Sequence, residues 1–488
     1  MEGAAQDPQQ EIDRGTRLAL IAMGIAVFVI ANDFSAINVA IPQIEQDFDT
    51  TVTTAQWVVN AYALTFGVLI VTGGRLADLF GRRRAFFVGS AIFASMSFAG
   101  GVAQSEAWLI VARVLMGIGG ALMWPAILGM TFAALPEEKA GLAGGLILGA
   151  AGVGNAAGPL IGGVLTDVLS WRWIFFLNLP VTGFATLVTW RYIHQARADT
   201  DDTAIDYRGI LTVSIGLVAL LLAFDQVLDW GGWGDPRIVG LVFLSVLMLA
   251  LFAFVERSSG RHALVPRDVM QNKDFTYSCI AILFMSAVFF AAMLYLPQYM
   301  IKVLDFTPIE AGLGMLPMMG VFAGVSFVAG PLYDRLGPKF LAVSGSLCIA
   351  AGPLLVALAA SEQEYLAIVP GLVVTGLGVG LFYPTATTAG VTSVDESRTS
   401  LAGAIIYMFQ IAGGSVGLGL TTTVFTEASD DGTGVDAFID GIETAFKLDA
   451  ALAACGFLVA LLLIGGRPHM VGLSHLRAQR HSPRGHGP

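Results

Sequence analysis

Charge is what this chain has least of. Only 13% of its 488 residues are Asp, Glu, Lys or Arg, against about a quarter in soluble proteins, and mean hydropathy is +0.73. Cysteine is nearly missing. Cys279, Cys348 and Cys455 all fall inside apolar stretches, which excludes an exported disulfide framework and leaves them as small packing residues. Histidine avoids those stretches: His194, His262, His469, His475, His481 and His486 belong to loops or the tail. Neither a buried metal cluster nor a histidine proton relay can be built from them. No G-x-x-x-x-G-K-[ST] cradle for phosphates is present, so the chain does not itself hydrolyse ATP. "GGSVG" at 413–417 fits the G-x-S-x-G pattern of hydrolases, but it lies within an apolar run and has no histidine base. The chain is not expected to be an enzyme or to hold a cofactor; uphill work would draw on an ion gradient.

What the chain does have is fourteen apolar runs of roughly 18 to 25 residues, each long enough to cross a hydrocarbon core about 30 Å thick as a helix. The fold class is therefore an all-α polytopic membrane protein. An even number of spans places both termini on one face. Apart from Arg113 inside a span, only Arg172, Arg237, Lys302 and Lys447 avoid the tails and the loops of that face, which makes it cytoplasmic. The leader "MEGAAQDPQQEIDRGTR" is long and acidic, so span one is expected to stay in the protein. The net charge of −11 collects largely in opposite-face loops such as "TEASDDGTGVDAFIDGIETAFKLD". It reads as solvation, with no nucleic-acid partner.

The chain repeats itself. "GRLADLFGRRR" from Gly74 and "GPLYDRLGPK" from Gly330 align Gly74 with Gly330, Asp78 with Asp334 and Gly81 with Gly337, all at an offset of 256. "GIGGALMWPA" from Gly117 and "GLGVGLFYPT" from Gly376 agree at 259. Two six-span halves of the same orientation follow, 18–193 and 275–465. They are flanked by tails at 1–17 and 466–488 and separated by a 194–274 linker that carries two extra spans. Parallel repeats of this kind build secondary transporters, with the substrate site where the halves meet.

Together these stretches resemble the major facilitator superfamily, specifically its fourteen-span drug:proton antiporters. The resemblance rests on "GRLADLFGRRR", on "RVLMGIGGA" from Arg113, on "GVGNAAGPLIGG" from Gly152 and on "DFSAINVAIP" from Asp33. "SWRWIFFLNLP" and "LYLPQYMIKVLDFTPIEAGLGMLP" are also similar to the family, and the likeness covers 14–465. Met116, Ser35, Ile301 and Asp305 depart from its usual pattern, which bears on substrate more than on fold. The resemblance implies a proton-coupled antiporter of bacterial cytoplasmic membranes. It would export amphipathic or cationic organic compounds by alternating access, as a monomer among membrane lipids. An exporter or flippase of lipids or of one metabolite on the same fold is the alternative.

Roles can be assigned to the motifs. Asp78 suits the positive N-terminus of a helix in the other half, and Arg82 suits Glu137 or Glu138, contacts that would form in one orientation of the halves and break in the other. Asp334 takes the corresponding place in the second half, and Gly74 and Gly81 permit close approach and a tight turn. The arginines following Gly81 also serve to fix topology. Gly154, Gly158 and Gly162, four apart, stack on one side of span five, and Pro159 invites a kink there. The resemblance implies that this span seals the halves or guides their rocking; ordinary small-residue packing is the other reading.

Phe34, Asn38, Tyr62, Phe66, Phe289, Phe290, Met293, Tyr407 and Gln410, with Phe409, are candidates for a cavity lining, because rings and thioethers repack around varied ligands. "VDAFIDGIETAF" spaces its apolar residues as a short interfacial helix ahead of span fourteen. Asp33 and Arg113 lie at similar depth in the half of the membrane away from the termini, where an ionisable group costs about 2.5 to 3.5 kcal/mol to insert. The pair is either a structural ion pair or the coupling site, in which opening the Arg113 contact would make Asp33 exchange a proton. Asp225 is the next candidate.

Overall fold

The computed structural model describes residues 14–50, 52–193, 206–227, 230–259, 264–429 and 434–465. All six histidines, most of the tails and part of the linker lie outside them. Backbone inside hydrocarbon must satisfy its hydrogen bonds within the chain, and the described residues do so with helix and no strand. The first half supplies α1 (Arg14–Phe48), α2 (Val52–Phe80), α3 (Arg82–Gly101), α4 (Glu106–Ala133), α5 (Ala140–Val168) and α6 (Arg172–Tyr192). The insert supplies α7 (Tyr207–Gln226) and α8 (Pro236–Ser259), followed by the short α9 (Arg267–Gln271). The second half supplies α10 (Lys273–Lys302), α11 (Pro308–Gly314), α12 (Leu316–Leu336), α13 (Pro338–Ala359), α14 (Tyr365–Thr392), α15 (Thr399–Ser429) and α16 (Val435–Leu463).

Among the described residues, 13 helices are long and apolar enough to cross a membrane. The remaining expected span is α3, 20 residues long, whose arginines, serines and glycines lower its hydropathy. It still packs as a bundle member, with Gly89 against the Gly119 carbonyl and Met123 of α4. The chain is thus a multi-pass membrane protein.

The expected interfacial helix at 435–446 is not separate. α16 runs unbroken from Val435 to Leu463, and Phe438, Ile439, Ile442 and Phe446 are buried, with Phe438 edge-on to Phe425 of α15 at 5.1 Å. An apolar face that finds a protein partner has no need of the membrane surface.

Glycine sets how closely the helices approach. Gly81 and Gly337, equivalent by the repeat, open α3 and α13 with φ of 100° and 79°, backbone that favours glycine. On α5 the glycines divide into two seams. Gly154, Gly158 and Gly162 face α1 of the same half: a Cβ at Gly154 would meet the Phe28 carbonyl at 2.7 Å, and one at Gly158 would meet Ser35 and the Ala36 nitrogen. The contact between halves uses the other face, where Gly145 meets the Ser326 carbonyl, Gly149 the Phe327 ring and Gly152 the Ala323 backbone, all of α12. The glycines singled out from the sequence therefore hold α5 to α1, and their neighbours make the seam between the halves. The helix continues through Pro159, which faces Gly312 of α11.

Gly158→Leu forces α5 off α1, and overpacking of this kind costs about 1–3 kcal/mol. The variant is expected to unfold at lower temperature than wild type in detergent and to lose transport; a well-folded variant with normal transport would show that the seam tolerates bulk.

Candidate functional site

Between the halves lies a cavity of about 650 Å³. Phe34, Asn38, Tyr62, Phe66, Phe289, Phe290, Met293, Tyr407 and Gln410 all border it; Phe409 does not. Among the described residues, no Asp, Glu, Lys, Arg or His contributes to the wall. Rings dominate instead: Trp124 and Tyr407 lie 4.6 Å apart, Phe66 meets Tyr407 edge-on at 5.5 Å, and Phe289 meets Tyr383 at 6.0 Å. The lining runs from mid-helix residues such as Trp124 and Tyr383 to Trp57, Gln298 and Thr426, near the ends of α2, α10 and α15 away from the chain termini. Tyr62 Oη and Trp124 Nε1, both on the wall, have no hydrogen-bond partner in the protein.

Trp124 and Tyr383 were not singled out from the sequence, although both stand in the repeated stretches, at the offset of 259 and each directly before a proline. That repetition was the available signal. Leu221, Leu222 and Phe224 of the inserted α7 also reach the wall. Phe224 packs on Gly419 of α15 and stacks edge-on against Trp233 at 5.0 Å, and Trp233 donates to Thr423 of α15 at 2.6 Å. Nothing in a uniformly apolar span foretells which neighbour it will choose.

Behind Tyr62 lies a buried polar network. Asp33 and Arg113 are both fully buried, and Arg113 Nη1 donates to Asp33 Oδ2 at 2.5 Å. Arg113 Nε donates to the Val58 carbonyl of α2 at 2.7 Å, and its guanidinium lies 4.3 Å from the Tyr62 ring centre. Asn178 of α6 donates to Asp33 Oδ1 at 2.8 Å and reaches Ser97 of α3 at 3.1 Å. A buried pair holds its charge when its remaining lone pairs and protons are met; here α2, α3 and α6 meet most of them, while Arg113 Nη2 and Asn178 Oδ1 have no partner among the described residues. Asp33 does not border the cavity, so a cationic ligand seated there does not meet its carboxylate directly. In this conformation a cation would meet the face of Tyr62 first. Asn178 was also missed, although a lone amide in the apolar "IFFLNLP" was a readable sign. The side chain of Asp225 lies outside the described residues.

At the face holding the start of α1, the two halves are tied by exchanged carboxylates. Asp78 at the end of α2 accepts from the Leu401 nitrogen in the first turn of α15 at 2.8 Å. Asp334 at the end of α12 accepts from the Gly141 nitrogen in the first turn of α5 at 2.9 Å. Each acid meets the positive end of a helix in the opposite half. Gly74 comes against Ala404 and the Ser400 carbonyl, and Gly330 against Gly141. Arg82 does not use Glu138, and the Glu137 side chain lies outside the described residues. Arg82 donates to Asp78 at 3.2 Å, to the Gly129 carbonyl at 3.0 Å and to the Glu396 carbonyl of the other half. A guanidinium with this many donors finds backbone carbonyls at helix ends as good a partner as a flexible acid.

Two exchanged half-bundles around a central cavity are the architecture that the comparisons return. The sequence profile of the Major Facilitator Superfamily matches residues 23–418. The chain belongs to this superfamily. It is 34% identical over 455 residues to the puromycin resistance protein of Streptomyces alboniger, covering 91% of this chain and 90% of that one. It is 32% identical over 419 residues to a multidrug transporter protein of Bacillus subtilis, covering 84% and 76%. The human organic anion transporter MFSD10 superposes with a TM-score of 0.62 over 93% of this chain and 100% of that one, at 12% identity, a likeness of fold alone. The chain is a membrane transporter and not an enzyme.

Removing one member of the buried pair strands the other, at about 3–5 kcal/mol. Asp33→Ala is expected to lower the unfolding temperature sharply, and adding Arg113→Leu is expected to recover much of the loss. A double variant no more stable than Asp33→Ala would show that the pair is not what the local structure depends on. Asp78→Asn keeps shape but weakens the tie to α15, so it is expected to slow turnover with substrate affinity nearly unchanged; normal turnover in this variant removes that role.

Proposed function

We propose that this protein is a proton-coupled efflux antiporter of the multidrug type, exporting amphipathic organic compounds from a bacterial cytoplasm by alternating access. It would work as a monomer in the cytoplasmic membrane with both termini inside. No cofactor enters this cycle; the proton gradient is its energy source. The observation that carries the reading is a ring-lined cavity, with no charged side chain among its described lining residues, whose wall residue Tyr62 backs onto a fully buried Asp33–Arg113 pair.

Such a wall favours flat or bulky apolar ligands, and ring faces also receive a delocalised cation at roughly 0.5–2 kcal/mol each without a carboxylate in the pocket. Further support comes from relatives named for puromycin resistance and for multidrug transport.

Coupling follows from the order of contacts. A ligand that displaces the Tyr62 ring removes the face on which the Arg113 guanidinium rests, and any shift of Arg113 changes the field at Asp33. The carboxylate then takes up a proton, and restoring the Arg113 contact expels it. The exchanged ties of Asp78 and Asp334 form in one orientation of the halves and must break in the other, so they bias the equilibrium on which that proton acts.

The test is uptake into proteoliposomes under an imposed pH gradient, with puromycin, a panel of organic cations and fluorescent lipids as probes. Wild type is expected to accumulate the amphipathic drugs, and Asp33→Asn to abolish accumulation while still binding them. Accumulation by Asp33→Asn of a drug gradient equal to wild type would remove Asp33 from coupling, and movement of lipids alone would replace the drug reading with a lipid one.

A further inference from the structure

The second half contains an intramembrane acid of its own. Asp449 stands at the midpoint of the 29-residue α16 and is fully buried. Its Oδ1 accepts from the Thr421 hydroxyl of α15 at 2.6 Å. Its Oδ2, equally buried, has no hydrogen-bond partner among the described residues. The contrast with Asp33 is one of compensation: Asp33 has a guanidinium and an amide on its two oxygens, whereas none of the described ion pairs includes Asp449.

Helices α10, α13 and α15 pack against α16. Tyr295 of α10, whose hydroxyl bonds Thr422, is a titratable neighbour of Asp449. On α16 itself the charges toward its start are Asp436, Asp440, Glu443 and Lys447, of which the last two bond each other at 3.1 Å. A carboxylate at mid-membrane with one hydrogen bond and no cation is costly, and a neutral carboxyl in the same place costs far less. With the proton on Oδ1, the 2.6 Å contact serves equally well, since the Thr421 hydroxyl then accepts.

We propose that Asp449 is a second proton-carrying group of the transporter, loaded in this conformation and emptied toward the cavity when α15 and α16 shift. The route is short. Thr422, next to Thr421 on α15, and Tyr295 both border the cavity, and the Tyr295 hydroxyl bonds Thr422. On release the carboxyl O–H bond breaks, the proton passes to cavity water, and a carboxylate remains until a proton returns from the other side. A ligand seated on Tyr295 and Phe425, whose rings lie 4.8 Å apart, sits one residue from this exchange, which gives the second half its own means of sensing substrate. This role rests on the proton-coupled reading above, whereas the protonation itself does not.

The experiment uses the full-length protein in lipid bilayers and has two readouts. Infrared spectra of wild type are expected to show the carbonyl band of a protonated buried carboxyl, lost in Asp449→Asn and kept in Asp33→Asn. In proteoliposomes, Asp449→Asn is expected to lose the pH dependence of puromycin transport while retaining puromycin counterflow, and Asp449→Glu to restore it. Where Asp449→Asn fails to fold, Thr421→Val, which leaves the acid in place, is expected to shift the infrared band. A wild-type band and pH profile in Asp449→Asn, or an unmoved band in Thr421→Val, overturns the inference alone. Absence of any pH-driven transport by wild type overturns the coupling reading and this role with it.

Discussion

The constraint behind most of this structure is that hydrocarbon gives a polar group nothing to bond. Arg113 is fully buried and is tolerated because five helices meet around its network: Asp33 of α1, the Val58 carbonyl and Tyr62 ring of α2, Ser97 of α3, and Asn178 of α6, closing on α4 itself. The first half is therefore pinned at one polar knot away from the terminal face, and everything else it presents to the cavity is free to be apolar. These two environments, cavity wall and polar knot, stand within a side chain's width of each other. Tyr62 is that width.

Internal repetition supplies the architecture, and its failures supply the specialisation. Asp78 and Asp334 perform the same exchange across the two halves, and Gly81 and Gly337 make the same turn. The symmetry stops at Arg82, because Pro338 stands in the equivalent place and has no donor to offer. One of the two ties is thus reinforced by a guanidinium reaching the Gly129 and Glu396 carbonyls, and the other rests on a carboxylate and helix ends alone. The two seams need not open with equal ease.

The fold was legible in the sequence because length and apolarity fix spans and because the two motif pairs repeat at nearly one offset. The cavity was legible as well, since aromatic, Met and amide side chains at the centre of such a bundle have few other uses. What escaped was mostly a question of direction around a helix axis. Gly154, Gly158 and Gly162 read as a flat face, but a face does not say which neighbour it meets, and it met α1. The apolar stripe from Val435 looked like a membrane-surface helix because its buried partner, Phe425, belongs to a different helix, and periodicity within one helix does not show which neighbour covers its face. Arg82 met Asp78 and the Gly129 and Glu396 carbonyls instead of Glu138, and backbone carbonyls leave no mark on a sequence. Asp449 was passed over because it stands next to Lys447 and so reads as part of a charged loop end, whereas in space that lysine turns to Glu443 and leaves the acid inside.

The inserted α7 gives the cavity a shape that two equal halves alone would not have. With Phe224 set into Gly419 and Trp233 bonded to Thr423, the insert is fastened to α15, and it also lies along α2. The crevice between those two helices is curtained. The opposite seam, between α5 and α12, has no inserted helix over it and is closed by glycines that hold the backbones at touching distance. The molecule is handed, and the lipid around it has two unequal shores.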